Sequence, residues 1–161
     1  RHAKIQFHKN KYNVVERLMN KLMVPGHRGK KHIISSGHCG GKSLTAWNIV
    51  EGTFAMIEQK TKQNPVQVFV KAIENAAPKD EITTIEYGGA RYPQAVDCSP
   101  QRRIDLVLRI FVQGAYQKSF GKKIKMVEAL SGEIMLAAEA DQKSMAMSKK
   151  LELERQADAA R

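Results

Sequence analysis

Gly88-Gly89 stands between two extended runs, Ile-Thr-Thr-Ile-Glu-Tyr before it and Ala-Arg-Tyr-Pro-Gln-Ala-Val-Asp-Cys after it. A two-residue hairpin turn of type I′ needs φ > 0 at both central positions, which glycine adopts without a Cβ clash. The pattern predicts a β-hairpin over 82–98, with Tyr87 opposite Ala90, Glu86 opposite Arg91 and Ile85 opposite Tyr92. Ile85, Tyr87, Ala90 and Tyr92 then share one face. Glu86 and Arg91 form an opposite-charge pair on the other. No other stretch reads as a convincing strand. A lone two-stranded hairpin is marginal in water, so it must rest on helices or on a partner. Pro93 removes a ladder donor and suits an edge. The expected object is an arm reaching out of a helical body.

Apolar spacing supplies that body. Val15, Leu18, Met19 and Leu22 fall at i, i+3, i+4, i+7 and predict a helix from Lys11 to Met23. Pro25-Gly26 ends it. Residues 44–60 form a second helix with Ser43 as cap and Trp47, Val50, Phe54 and Ile57 on its inner face. Gly52 weakens that helix and is expected to admit a close neighbour. Asn64-Pro65 is an N-cap followed by proline at N1. It opens a third helix, to Ala77, burying Val66, Phe69, Ala72, Ile73 and Ala76. The fourth, Pro100 to Phe120, carries Ile104, Val107, Leu108, Phe111 and Ala115, widened by Leu106 and Ile110, and is expected at the centre. The fifth, 125–140, uses Val127, Leu130, Ile134 and Ala137. The sixth, 145–160, is mostly polar and expected at the periphery. The fold class is therefore mainly α: one domain over residues 1–161, about six helices with one protruding two-stranded hairpin.

The net charge of +11 is not evenly spread. Residues 1–50 hold ten Lys/Arg against one acid, Glu16, and residues 99–125 hold seven against one, Asp105. The other two segments are slightly acidic. Two basic blocks of this kind are the footprint of a polyanion partner. They form no basic amphipathic helix, and no apolar run reaches the ~18 residues of a membrane span, so no membrane partner is expected. Residues 1–10 read as a basic tail that orders on a partner. Ser99 and Pro100 start the fourth helix, and Arg102 and Arg103 follow in its first turn, where positive charge opposes the helix dipole. Either a phosphate sits at that helix start, gripped by both guanidinium groups, or two solvated arginines lie on an exposed turn. Charge alone also allows a helical DNA-binding or chromatin-type protein.

Enzyme chemistry finds little support. Gly37-His-Cys-Gly-Gly41-Lys42-Ser43 has one residue too few between its first glycine and Gly-Lys-Ser for a nucleotide-binding loop. His27, His32, His38 and Cys39 have spacings unlike zinc sites and offer one thiolate. No paired acids or nucleophile–base arrangement emerges, so no catalytic residue, metal or cofactor is expected. Cys39 and Cys98 show no disulfide spacing and read as reduced thiols. With no targeting segment visible, the expected location is cytoplasmic.

Asn64-Pro-Val-Gln-Val-Phe-Val, Glu74-Asn-Ala-Ala-Pro, Tyr87-Gly-Gly-Ala-Arg-Tyr-Pro-Gln-Ala-Val-Asp and Ser99-Pro-Gln-Arg-Arg closely resemble the small-subunit ribosomal protein S-seven family. Gly114-Ala-Tyr and Ser148-Lys-Lys-Leu-Glu-Leu-Glu-Arg155 fit its later helices. The match runs in order from about Lys11 to Arg161 and resembles the archaeal or eukaryotic branch, the archaeal more closely. The resemblance implies a six-helix body with a projecting ribbon and direct binding to the 3′ major domain of small-subunit rRNA. It also implies a role in starting assembly of the subunit head. The ribbon would lie near the exit-site tRNA and the mRNA path, with the S-eleven family protein as a neighbour. Carried onto this chain, the rRNA-binding candidates are Lys9, Lys11, Lys30, Lys31, Lys42, Arg102, Arg103 and Lys122. The tRNA/mRNA-facing candidates are Gly88, Gly89, Arg91 and Tyr92. Three positions depart from the family: Cys98 where valine is expected, Met145 where tyrosine is expected, and Gly132 where an acid is expected.

Overall fold

The structure, a computed structural model, describes residues 7–24 and 41–161, with the backbone of His27–Arg28 and Lys31–His32. Among these residues there are six α-helices: α1 Val14–Leu22, α2 Ser43–Thr61, α3 Pro65–Ala76, α4 Pro100–Ser119, α5 Met126–Ala138 and α6 Met145–Ala159. A 3₁₀ turn, His8–Lys11, precedes α1. The strands form two antiparallel pairs. β1 (His27–Arg28) and β2 (Lys31–His32) make a two-residue ladder that the sequence did not suggest. β3 (Asp80–Tyr87) and β4 (Ala90–Asp97) form the arm.

The arm has the expected register. Ile85 opposes Tyr92, Glu86 opposes Arg91, and Tyr87 opposes Ala90. Gly88 and Gly89 have φ of 58° and 82°, the left-handed values that the turn requires. The root of the arm is partly covered, whereas 83–87 and 90–94 are exposed. At about 3.3 Å per residue, the free part reaches roughly 16 Å beyond the body. The root lies against α6.

The helices share one core, with Phe69, Phe111, Leu18, Ile57, Leu108, Leu130 and Ile134 its largest buried side chains. α4 lies inside as expected, but α5 is the more enclosed helix, packing against α2, α3, α4 and α6. Small residues on α5, Ala129, Ala137 and Ala138, let neighbours approach from several sides. Gly52 of α2 is one such approach: a Cβ built there would meet Val127 Cγ1 at 3.4 Å.

Two core assignments are corrected. Trp47 is 54 % exposed: Val50 and Ile57 face inward as expected, but Ala46 and Thr53 complete the buried stripe in place of Trp47 and Phe54. Small residues take the tight side of this helix and the indole is rotated out; Phe54 is only partly buried, its ring centroid 5.7 Å from that of Phe69. Thr53 is satisfied inside by donating to the Ile49 carbonyl at 2.7 Å. Val66 is also exposed. It sits in the first turn of α3, where Asn64 accepts from its N–H at 3.0 Å, and Val68 takes its place in the core.

α6 has the expected exposed polar face, with Glu152, Arg155, Gln156 and Asp158 in solvent, but two of its polar side chains, Lys150 and Glu154, also fasten it to neighbouring elements. Lys150 Nζ donates to the Asn75 carbonyl at the end of α3 at 2.7 Å, and Asn75 Nδ2 donates to the Ala137 and Ala138 carbonyls at the end of α5. Last-turn carbonyls lack partners within their own helix, so these contacts satisfy buried acceptors. The Ser43 cap is not made either: Lys42 is the N-cap of α2, without a side-chain bond. Ser99 is the N-cap of α4, also without one.

Two glycines of the core helices give opposite predictions. A Cβ at Gly132 would meet nothing within 4 Å, whereas one at Gly114 would meet Met145 Cβ at 3.2 Å and Glu133 at 3.3 Å. Gly132→Ala should stabilise the protein by about 0.5–1 kcal/mol through helix propensity and reduced freedom of the unfolded chain. Gly114→Ala should lose about 1–3 kcal/mol to overpacking. Chemical unfolding of the two variants checks both signs.

Candidate nucleic-acid interface

Arg17 and Lys21 are four residues apart on α1. Gln101, Asp105 and Arg109 repeat the same interval along α4. Residues at i and i+4 share a helix face, so each helix presents one polar row, and the two helices pack together. Arg17, 7 % exposed, bridges the rows: its guanidinium donates to Gln101 Oε1 at 2.9 Å and to Asp105 Oδ1 at 3.2 Å. Lys9, from the turn before α1, donates to Asp105 Oδ2 at 3.2 Å. Residues 96 positions apart thus meet on one carboxylate.

The electrostatics follow from that meeting. Three cations, Lys9, Arg17 and Lys21, act on a single acid, Asp105, and exposed Arg109 adds its charge beside Lys21. Burial, only partly offset by Asp105, holds the Lys21 ammonium below its ordinary pKa, and the charges of Arg109, Lys9 and Arg17 push it the same way. For Asp105, burial acts to raise the pKa. The bonds from Arg17 and Lys9 and the charge of Lys21 outweigh it, and the carboxyl titrates below its ordinary value of 3.8. The cluster therefore holds surplus positive charge that a polyanion would relieve.

A group with a depressed folded pKa stabilises the fold above its unfolded pKa, and that contribution disappears as pH falls through the folded value. Asp105→Asn should therefore cost about 2 kcal/mol at pH 7, the size of hydrogen bonds to a charged acceptor. The difference from the native protein should shrink below pH 3.8. Urea unfolding between pH 7 and pH 3 tests this, and a difference constant across that range would contradict the assignment.

The remaining predicted residues are spread along the molecule. Lys11 is exposed in the turn before α1, and Lys42 is exposed at the start of α2. Lys122 is exposed beyond the far end of α4, a helix of 20 residues and so about 30 Å long. Lys30 lies outside the described residues, as does the side chain of Lys31, whose backbone is in β2. The same holds for the metal question at His27, His32, His38 and Cys39. Among the described residues no cluster of His, Cys, Asp and Glu could hold a metal ion. Residues 1–6 of the expected tail also lie outside. Residues 8–11 are not featureless: they form the 3₁₀ turn that Lys9 anchors to α4.

Arg102 and Arg103 are already engaged within the chain. Both guanidinium groups bind protein at the root of the arm. Arg102 forms a two-point ion pair with Glu81 of β3, Nη2 donating to Oε2 at 2.7 Å and Nε paired with Oε1. Arg103 donates to the carbonyls of Cys98 and Lys79 at 3.0 and 3.3 Å. Cys98 N–H donates to the Lys79 carbonyl at 2.8 Å, Lys79 N–H to Glu154 at 3.2 Å, and Arg161 to Asp80 at 2.6 Å. Cys98 itself is buried in this root, and burial together with Glu81 pushes its thiol pKa up, so it serves as a small apolar residue in the place of valine.

On the arm, Tyr87 is 81 % and Tyr92 58 % exposed, with Ile85 beside them on the same face. Arg91 and Glu86 stand 3.9 Å apart on the other. Both are exposed, so the pair contributes little to stability.

A family model described as ribosomal protein S7p/S5e matches residues 1–161, the whole chain. The chain belongs to the ribosomal protein S7p/S5e family. It is 55 % identical over 161 residues to the small ribosomal subunit protein uS7 of Nanoarchaeum equitans, covering all of this chain and 81 % of that protein. It is 48 % identical over 155 residues to the uS7 protein of Methanothermobacter thermautotrophicus, covering 96 % of this chain and 77 % of the relative. With the uS7 protein of Archaeoglobus fulgidus the identity is 44 % over 161 residues, covering 100 % and 77 %. The archaeal resemblance seen in the hairpin and helix motifs is thereby established. A ribosomal protein S7p/S5e is a structural, non-enzymatic component of the small ribosomal subunit. The near-match to a nucleotide-binding loop at 37–43 therefore has no hydrolase behind it. Its described end, Lys42-Ser43, simply opens α2.

Sequence reasoning overlooked Arg17, Lys21, Asp105 and Arg109 as site residues. Their signal was present in the four-residue spacings on both helices. What the sequence lacked was the pairing of α1 with α4.

Proposed function

We propose that the chain binds the 3′ major domain of small-subunit rRNA directly, starts assembly of the subunit head, and holds its arm near the exit-site tRNA and the mRNA path. The observation that carries this reading is the convergence of Lys9, Arg17 and Lys21 on Asp105, with Arg109 beside Lys21. Two basic blocks far apart in the chain make one cationic face, as a binder of folded RNA needs. Lys11 and Lys42 extend the positive surface, Lys30 and Lys31 belong to the first basic block, and Lys122 offers a second contact at the far end of α4. Recognition would run through phosphates and the shape of the RNA rather than through a base code.

The arm supplies the second half. Gly88, Gly89, Arg91 and Tyr92 lie on its exposed outer part. Tyr87 and Tyr92 present rings on which an unpaired base can stack, a contact worth ~1–3 kcal/mol. The neighbouring S-eleven family protein is the expected protein partner beside it.

The test is binding to a transcript of the 3′ domain across a salt series, with scrambled RNA and duplex DNA as competitors. Each neutralised phosphate should contribute roughly −0.7 to −0.9 to the slope of log K against log salt. The expected result is transcript binding that survives at salt where both competitors are lost. Equal binding to duplex DNA would favour the chromatin-type alternative instead.

A further inference from the structure

Three features of the arm's root bear on a question the cationic face leaves open. Arg102 stands in the first turn of α4, in the second basic block, yet its guanidinium is occupied by Glu81. That turn contains no acid, and Ser99 makes no side-chain cap there. Glu81 sits on β3 opposite Val96, with its side chain largely covered, whereas the Arg102 side chain is 56 % exposed. The carboxylate thus approaches the arginine from the protein side and leaves the solvent side open.

The root does not depend on this pair. Arg103 already joins the two chain segments through the Cys98 and Lys79 carbonyls. The Cys98–Lys79 backbone bond, the Lys79–Glu154 bond and the Arg161–Asp80 ion pair hold the same place. Arg102–Glu81 is the exchangeable member of the set: an exposed guanidinium on a single carboxylate, in geometry that a phosphate reproduces with two oxygens. Only the Arg102 end of the pair faces solvent, and from that side a well-placed phosphate can compete with Glu81 for the guanidinium.

We infer that Glu81 is a resident phosphate mimic that occupies Arg102 in the free protein, and that an RNA phosphate displaces it on binding. The inference rests on the rRNA-binding reading and deepens it. Arg102 is a phosphate ligand held in reserve. Glu81 keeps it ordered and partly neutralised until an RNA backbone arrives at the start of α4, beside the arm. Competition by Glu81 lowers affinity for any polyanion that approaches this point without gripping the rest of the face.

A double-mutant cycle on the full chain tests it. Glu81→Gln should raise affinity for the 3′-domain transcript about two- to fivefold, the scale of a competitor removed from one partly exposed guanidinium. Arg102→Gln alone should lower it, and in the Arg102→Gln background the Glu81→Gln gain should vanish. The same gain in both backgrounds would mean that removing an acid acts only through the general field, and would overturn the inference. No gain in either would overturn it too. Arg102→Lys, which keeps the charge and loses the two-point geometry, should recover only part of the affinity. Thermal unfolding of each variant, expected to differ little from the native protein because Arg103 still ties the root, separates binding from folding. Should the native chain fail to distinguish the transcript from scrambled RNA, the rRNA-binding reading itself falls. Discrimination without the cycle's coupling removes only the role given to Glu81 and Arg102.

Discussion

Lys21→Gln combined with Arg109→Gln is expected to lower affinity for the 3′-domain transcript by on the order of 10- to 100-fold, with the salt slope shallower by about two. The thermal midpoint should stay unchanged or rise slightly. Both expectations come from one arrangement. Lys21 is partly buried, and burial and three neighbouring cations oppose its charge more than Asp105 supports it. A lysine whose folded pKa lies below its ordinary value of 10.5 penalises the fold while protonated. That penalty is fully present below the folded pKa and fades as pH rises toward the unfolded one. Removing the charge therefore relieves the native state at neutral pH, and the relief should be gone in strongly alkaline solution. An anion placed beside Lys21 would offset the opposition of burial and of its cationic neighbours. Filter binding or fluorescence anisotropy over a salt series, with thermal unfolding beside it, reads both effects. A parallel loss of affinity and stability would mean that the cluster is structural and that the RNA contact lies elsewhere.

The arm was legible in the sequence because its cause is local. Two glycines dictate the turn, the turn dictates the register, and the pairing of Ile85 with Tyr92 follows without any knowledge of the body. The start of α3 is similar: Asn64 and Pro65 act on their own backbone, and Asn64 accepts from Val66 N–H as such a cap should. Helix faces were legible only to within one residue. On α2 the inward stripe is offset by a residue or less from the predicted one, and that is enough to bring Trp47 to the surface. Periodicity reports that a helix has an apolar side, whereas the size of its neighbours decides which edge of that side is innermost. The candidate site was the least legible part. Arg102 and Arg103 stand out in the sequence as positive charge at a helix start, but their partners, Glu81, Cys98 and Lys79, lie at the root of the arm. Asp105 reads as an isolated acid in a basic block until α1 is laid beside α4. Interactions between elements far apart in the chain leave no local pattern, so the cationic face becomes visible only when the fold is known.

Glu133→Ala is expected to cost about 3 kcal/mol, enough to lower the midpoint by roughly 6–12 °C in a domain of this size. Glu133 is a fully buried carboxylate on α5 that the apolar pattern concealed. Its Oε2 accepts from the Ser144 hydroxyl and from Met145 N–H, each at 3.0 Å, at the start of α6. Its Oε1 lies 2.5 Å from Lys118 Nζ near the end of α4. Three helices thus converge on one side chain, and Gly114 leaves it room, as a Cβ there would meet the carboxylate. Negative charge at a helix N-terminus and positive charge near a C-terminus both suit the helix dipoles. Alanine removes all of this together and leaves the buried Ser144 hydroxyl and a helix-start N–H without an acceptor. Lys118 is partly exposed and can return to water, which keeps the loss below that of a fully buried ion pair. Glu133→Gln retains the volume and an acceptor oxygen and should cost clearly less, about 1–2 kcal/mol. Chemical unfolding of the two variants decides between them: equal losses would mean that packing, and not the acceptor, makes Glu133 matter. Hydrogen exchange adds a local test, with the amides at the start of α6 expected to open first in the alanine variant. Because α6 also seats β3 and supplies Glu154 to the Lys79 N–H, loosening its start should carry outward to the root of the arm.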